Sequence, residues 1–172
     1  MDYYKSIENW HIKASYEDYF SKYAFEYMAF IAYLRKIKYK DTVKDRPAIQ
    51  KLKQDLDIKQ RYLKIVEEEE TIRNSLTIIK EELEKKPLQS DNIKWWNNSE
   101  DNIPRERINN NHGKINGLDD WENIVEFWYS IRNNFFHGGK NPDDNRDQLL
   151  IEHAFKTLSP LVNIFICENK QL

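Results

Sequence analysis

Tyr19-Phe20-Ser21-Lys22-Tyr23-Ala24-Phe25-Glu26-Tyr27-Met28-Ala29-Phe30-Ile31-Ala32-Tyr33-Leu34 is the stretch on which the fold class turns. Tyr19, Phe20, Tyr23, Ala24, Tyr27, Phe30, Ile31 and Leu34 recur at steps of three and four, the spacing that lines one face of an α-helix. Phe25, Met28 and Ala29 widen that face. Ser15 followed by Asp18 has the form of a capping box, which would satisfy free backbone N–H groups at a helix start. The pattern therefore predicts a central helix, the first of the chain, beginning near Ser15. Glu26 interrupts the apolar run and Arg35-Lys36 end it, so it reads as a buried core helix, short of the roughly 20 apolar residues that span a bilayer.

Downstream, Pro47 suits a helix's first turn, and Ile49, Leu52 and Leu56 continue behind it at helical spacing. The pattern carries on through Leu63, Val66, Ile72, Leu76, Ile79 and Leu83 to Pro87, as one long helix or as two with a break near Asp57; length favours two. Between Pro87 and Leu118 periodicity stops, and Asn, Asp and Ser dominate around Trp95-Trp96. A loop this long is either a lid that contacts substrate or a disordered insertion tethered by its tryptophans. Trp95 or Trp96 could stack on an unpaired base, but anchoring the loop to the bundle is the role expected first. A helix follows from about Asp119 to Phe136, stopped by Gly138-Gly139. After the turn Asn141-Pro142-Asp143 comes a last helix from Asp144 or Asn145, which Pro160 should kink or split. No segment alternates with period two. The expectation is an all-α chain, one domain over 1–172: a bundle of four to five main helices with a long irregular loop at about 87–118 before the motif helix.

Composition narrows the function classes. At 172 residues, 40% apolar and 33% charged, the chain has the balance of a helical globular protein. Its formal charge of −2 means that a polyanion would have to be held by a local patch. Cys167 is the only cysteine, and the N-terminus is charged where a signal peptide needs an apolar run, so a reducing, cytoplasmic setting is expected. The four His and one Cys show no metal-ligand spacing, and no cofactor is expected. The acidic run Glu67 to Glu70 reads as a solvated helix face.

Chemistry concentrates at the end of the helix before Gly138. Trp121, Ile124, Val125, Trp128, Ile131 and Phe135 form its apolar stripe, and Arg132 falls within it. A core-facing guanidinium must reach water, pair with a carboxylate such as Glu26, or hold an anion at a cleft or interface. His137 follows five residues later, a step of about 140° that would point the two side chains apart on a regular helix. With Gly138-Gly139 next, the helix is expected to end there and leave the imidazole room to turn back. A planar cation beside a group that moves protons near neutral pH suits a phosphate.

Tyr129-Ser130-Ile131-Arg132-Asn133-Asn134-Phe135-Phe136-His137-Gly138-Gly139-Lys140, followed by a final helix, resembles the HEPN superfamily, whose signature is an Arg and a His separated by four to six residues, often with a polar residue directly after the Arg. Arg105 to His112, Arg107 to His112 and Arg146 to His153 meet the same spacing, so it is placement that singles out Arg132 and His137. His153 shares a face with Leu149, Leu150 and Ala154, as a core histidine would.

The resemblance implies a helical bundle that forms a homodimer, in which two Arg–His pairs build one composite site at the twofold interface. It implies a metal-independent endoribonuclease in which the 2′-hydroxyl of single-stranded RNA attacks the adjacent phosphorus. In that hydrolase, His137 is general acid or base, Arg132 stabilises phosphoryl charge and Asn133 orients an oxygen. Lys140, Arg146, Arg105 and Arg107 are the candidate RNA-binding, phosphate-contacting residues. The family association suggests a toxin–antitoxin or antiphage defence nuclease, with a cognate antitoxin or partner protein. Two other classes stay open: a non-catalytic module that binds RNA or nucleotides, and a helical interaction protein.

Overall fold

Aspartate side chains open several helices of this computed structural model, which describes residues 2–15, 17–88, 96, 113–136 and 143–169. Asp2 accepts from the Lys5 backbone N–H at 3.2 Å and starts α1 (Tyr3–Ala14). Asp18 accepts from Phe20 and Ser21 at 2.9 and 3.2 Å and starts α2 (Tyr19–Tyr33), which widens into a π-helical turn (Leu34–Lys38). α3 (Asp45–Gln54) follows, with Pro47 in its first turn. Asp55 accepts from Ile58 at 3.1 Å and opens α4 (Leu56–Glu68). Then come α5 (Glu70–Lys85), α6 (Trp121–Phe136) and α7 (Asn145–Asn169).

The described residues thus form seven α-helices, which corrects the expected four to five in two places. The first is α1. Only Ile7 and Ala14 of this helix are fully buried, and the remainder is largely polar, so its apolar signal is thin. The cap that was read as Ser15 with Asp18 is Asp18 itself, whose second oxygen accepts from the Ser21 hydroxyl at 2.7 Å. The second place is the run from Pro47 to Pro87, which breaks twice: at Asp55, close to the expected Asp57, and again at Glu69. Glu69 takes extended backbone angles in the middle of a glutamate run, where periodicity gives no sign of a stop. α7 runs unbroken through Pro160, so that residue does not split it.

α2, α6 and α7 build the centre. Trp121 and Trp128 of α6 are buried and meet edge to face, with ring centroids 6.1 Å apart, and Tyr62 of α4 packs on both. The polar tip of each ring is satisfied: Trp121 donates to the Leu52 carbonyl at 3.2 Å, Trp128 to the Thr157 hydroxyl at 3.0 Å and Tyr62 to the Thr157 carbonyl at 2.8 Å. Tyr33 of α2 stacks on Phe165 of α7 at 4.1 Å. Full burial of each such side chain stabilises the fold by about 1.5–3 kcal/mol. α7 is long and apolar enough to cross a membrane by length and composition alone, yet 56% of that stretch is buried inside the bundle. Leu88 pairs with Gly113 in an isolated bridge, and a Cβ on Gly113 would lie 2.5 Å from the Leu88 carbonyl oxygen, so only glycine fits this close approach. Most of the 87–118 loop, including Trp95, lies outside the described residues, but Trp96 is buried in the core.

Candidate functional site

Tyr23 of α2 fixes the turn of α6 that carries Arg132. Its buried hydroxyl donates to the Trp128 carbonyl and also meets the backbone N–H of Arg132, so it is inserted at the rung joining those two residues. Burial holds this phenol well above its ordinary pKa, hence protonated and able to donate.

From that turn the Arg132 side chain runs past the apolar stripe to the surface, where it is 29% exposed. It donates to Asn133 Oδ1 at 2.9 Å and passes over the rings of Phe136 and Tyr27, at 5.1 and 5.7 Å from their centroids. Its carboxylate partner is Asp45 in the first turn of α3, at 3.4 Å. Glu26, the acid proposed from sequence, instead receives His11 Nδ1 at 2.8 Å, on the contact between α1 and α2.

Asp45 serves two arginines. Its other oxygen accepts from Arg35 Nη1 at 2.9 Å, and Arg35 also donates to the Val43 carbonyl. Arg35 belongs to the π-helical turn, closed by a Tyr39 N–H to Leu34 carbonyl bond of 2.7 Å; such wide turns re-aim side chains and recur at functional sites. Arg46, next to Asp45, makes a bidentate pair with the fully buried Glu126 of α6 at 2.7–3.0 Å and lies 4.0 Å over the Tyr129 ring. Lys53 reaches the same Glu126 at 2.7 Å, and burial lowers its pKa against that carboxylate's pull. These ion pairs bolt α3 to α6 beside Arg132.

Three buried donor atoms in this cluster have no hydrogen-bond partner among the described residues: Arg132 Nε, Arg35 Nε and the hydroxyl of Tyr27. Burial pushes the Tyr27 phenol well above its ordinary pKa, and the charges of Asp45 and Arg132 both reach it. Phe136 and Val43, 52% and 80% exposed, flank the cluster with apolar surface.

Of the sequence-derived residues, Arg132 and Asn133 are brought together. Arg146, at the start of α7, pairs with Glu82 of α5 at 3.1 Å and donates to the Lys86 carbonyl, engagements that tie α7 to α5. His137, Lys140, Arg105 and Arg107 lie outside the described residues. His153 is buried with its Nδ1 lacking a partner, and burial lowers its pKa. Among the described residues no group of three or more His, Cys, Asp or Glu side chains is gathered to hold a metal ion. Sequence reading missed Tyr23, Tyr27, Arg35 and Asp45. The two tyrosines look like any core position of α2, and nothing in a linear pattern marks residues 87 to 109 positions before Arg132 as its neighbours. No protein-family model, curated protein or solved structure matches this chain.

Proposed function

We propose that this chain is a metal-independent endoribonuclease that cuts single-stranded RNA, with Arg132 and His137 as its reacting pair. The observation that carries the reading is the placement of Arg132. Its guanidinium emerges from the last turn of α6 at the surface, beside Asn133 and with Nε lacking an acceptor, directly before His137-Gly138-Gly139.

In this reaction the RNA 2′-oxygen bonds to the adjacent phosphorus as its proton passes to a base. The bond to the 5′-oxygen breaks and that oxygen takes up a proton, leaving a 2′,3′-cyclic phosphate and a 5′-hydroxyl. His137 is suited to either transfer, and two copies meeting at a twofold axis supply one imidazole for each. Arg132 stabilises the charge that develops on the phosphoryl oxygens, and the Asn133 amide orients one of them. The exposed ring of Phe136 beside the guanidinium supports an interface at this point. A role in toxin–antitoxin or antiphage defence, with a partner that restrains the activity, fits the same chemistry.

Purified protein is expected to cleave single-stranded RNA in EDTA, and His137→Ala is expected to abolish cleavage while leaving the helical circular-dichroism spectrum and the dimer mass intact. Equal activity of wild type and variant overturns the catalytic reading, and a strict monomer by light scattering removes the composite site. One observation favours a second reading, a non-catalytic RNA- or nucleotide-binding module: Arg132 is already paired with Asp45. Binding without turnover would establish that reading.

A further inference from the structure

A buried hydrogen-bond donor with nothing to donate to is uncommon, because leaving it unmet costs about 1–3 kcal/mol. Here three such atoms belong to side chains grouped around one carboxylate, and all three are donors: Arg35 Nε, Arg132 Nε and the protonated hydroxyl of Tyr27, itself only 2% exposed. What the group lacks, among the described residues, is an acceptor. Two guanidinium groups share the single carboxylate of Asp45, at 2.9 and 3.4 Å, so positive charge is in excess. The longer contact is the one to Arg132 and the weaker of the two. Arg35 is presented by the π-helical turn and Tyr27 by the regular part of α2, so the grouping is independent of the chain after Phe136.

We propose that Arg35, Arg132 and Tyr27 form a binding site for a phosphodiester of single-stranded RNA, and that the Asp45 carboxylate occupies it as a stand-in until the phosphate arrives. This rests on the nuclease reading for the identity of the ligand, and it extends that reading by a phosphate contact from α2 and by a built-in competitor from α3. A phosphate entering here takes over the Asp45 contact to Arg132 and supplies acceptor oxygens for the unmet donors. Arg35 retains Asp45 through its shorter bond, which keeps the displaced carboxylate from being left unpaired.

The roles of the two charges give opposite signs in one assay. The ligand is a short single-stranded 2′-O-methyl oligonucleotide, which has no free 2′-hydroxyl and is not cut, so binding is read whether or not the chain is a nuclease. Arg35→Gln is expected to weaken binding about tenfold, the loss of one charge-assisted hydrogen bond. Asp45→Asn is expected to strengthen it about threefold, because the competitor is gone. Lys64→Gln, on the exposed side of α4, is expected to change nothing. Binding unchanged in Arg35→Gln, binding unchanged or weaker in Asp45→Asn, or an equal loss in Lys64→Gln each overturns the proposal. Side-chain Nε–H resonances of Arg35 and Arg132 in the unmutated protein provide a reading that no misfolded variant can obscure. Both are expected to move on titration with the oligonucleotide, and no movement overturns the site. Movement with inorganic phosphate but not with the oligonucleotide overturns its assignment to RNA. Cleavage of ordinary RNA with unchanged binding in Arg35→Gln sinks this inference and leaves the nuclease reading standing; the reverse result does the opposite.

Discussion

Glu26 and Asp45 are both carboxylates that join helices, and they do so in contrasting ways. Glu26 is fully buried where α1, α2 and α7 meet; both of its oxygens lie 2.8–2.9 Å from His11 Nδ1, and Ser159 of α7 adds a further hydrogen bond. Asn163 of α7 closes the group from the imidazole side. No buried atom of His11 or Glu26 lacks a partner. Asp45 stands nearer the surface and divides its two oxygens between two arginines whose Nε atoms remain unmet. A closed network of this kind holds helices together, whereas a network short of acceptors has capacity for something from outside. The first is a network for stability, and the second is the one proposed here to bind phosphate.

The contrast is broken most directly at Glu26. Glu26→Ala strips the partner from His11 in a buried setting and should destabilise the fold by about 3–5 kcal/mol. Against the roughly 5–15 kcal/mol that holds a domain of this kind, the loss is large and is readily measured by urea denaturation. A loss below about 1 kcal/mol would show that α1 docks through its apolar contacts alone, and the closed cluster would not be what secures it.

A smaller effect follows from protons at the same place. The hydrogen bond that His11 donates to Glu26 raises the His11 pKa above its ordinary value of about 6.5, and burial raises that of Glu26. Each group therefore holds its proton more tightly folded than unfolded. For both, the stabilisation is fully present below the unfolded pKa and is lost as pH rises through the folded one; for His11 that window opens near pH 6.5 and extends upward. The groups facing the pair are Ser159 and Asn163 on α7 and Glu8 on α1, and the Glu8 charge raises His11 in the same direction. The melting temperature of the wild type should exceed that of His11→Gln by more at pH 6 than at pH 9. A margin that stays constant or grows with pH contradicts the assignment.

Sequence legibility divides along the same line. The central helix, the motif helix and the last helix were readable because each carries large apolar side chains at three- and four-residue steps, and their observed ends fall within a few residues of the capping and glycine signals. α1 was hidden because Ile7 and Ala14 are too few to make a stripe, and the Glu69 break because glutamate favours neither side of it. At the candidate site, Arg132 stood out as a charge in an apolar stripe, and Asn133 beside it came from the motif. Their surroundings did not stand out. Asp45 is one acidic residue among many ahead of Pro47, and Arg35 reads as the polar end of a core helix. What makes them neighbours is the packing of α3 against α6 and the π-helical turn, and neither is written at any fixed spacing.

Arg132→Gln should have the smallest effect on stability of the changes considered, and that smallness is informative. The substitution removes an ion pair of 3.4 Å made by a side chain that is 29% exposed, and pairs of that sort contribute about 0–1 kcal/mol. It also removes the unmet Nε, which relieves a penalty of the opposite sign. Asp45 is not stranded, because Arg35 still holds it at 2.9 Å. The two changes should cancel to within about 1 kcal/mol in urea denaturation, while RNA cleavage falls to background in the same preparation. A stability loss as large as that of Glu26→Ala would instead make Arg132 a structural member of the core, with its guanidinium committed to Asp45 for the sake of the fold. The contrast between a closed and an open carboxylate would then vanish, since both would be holding the bundle together.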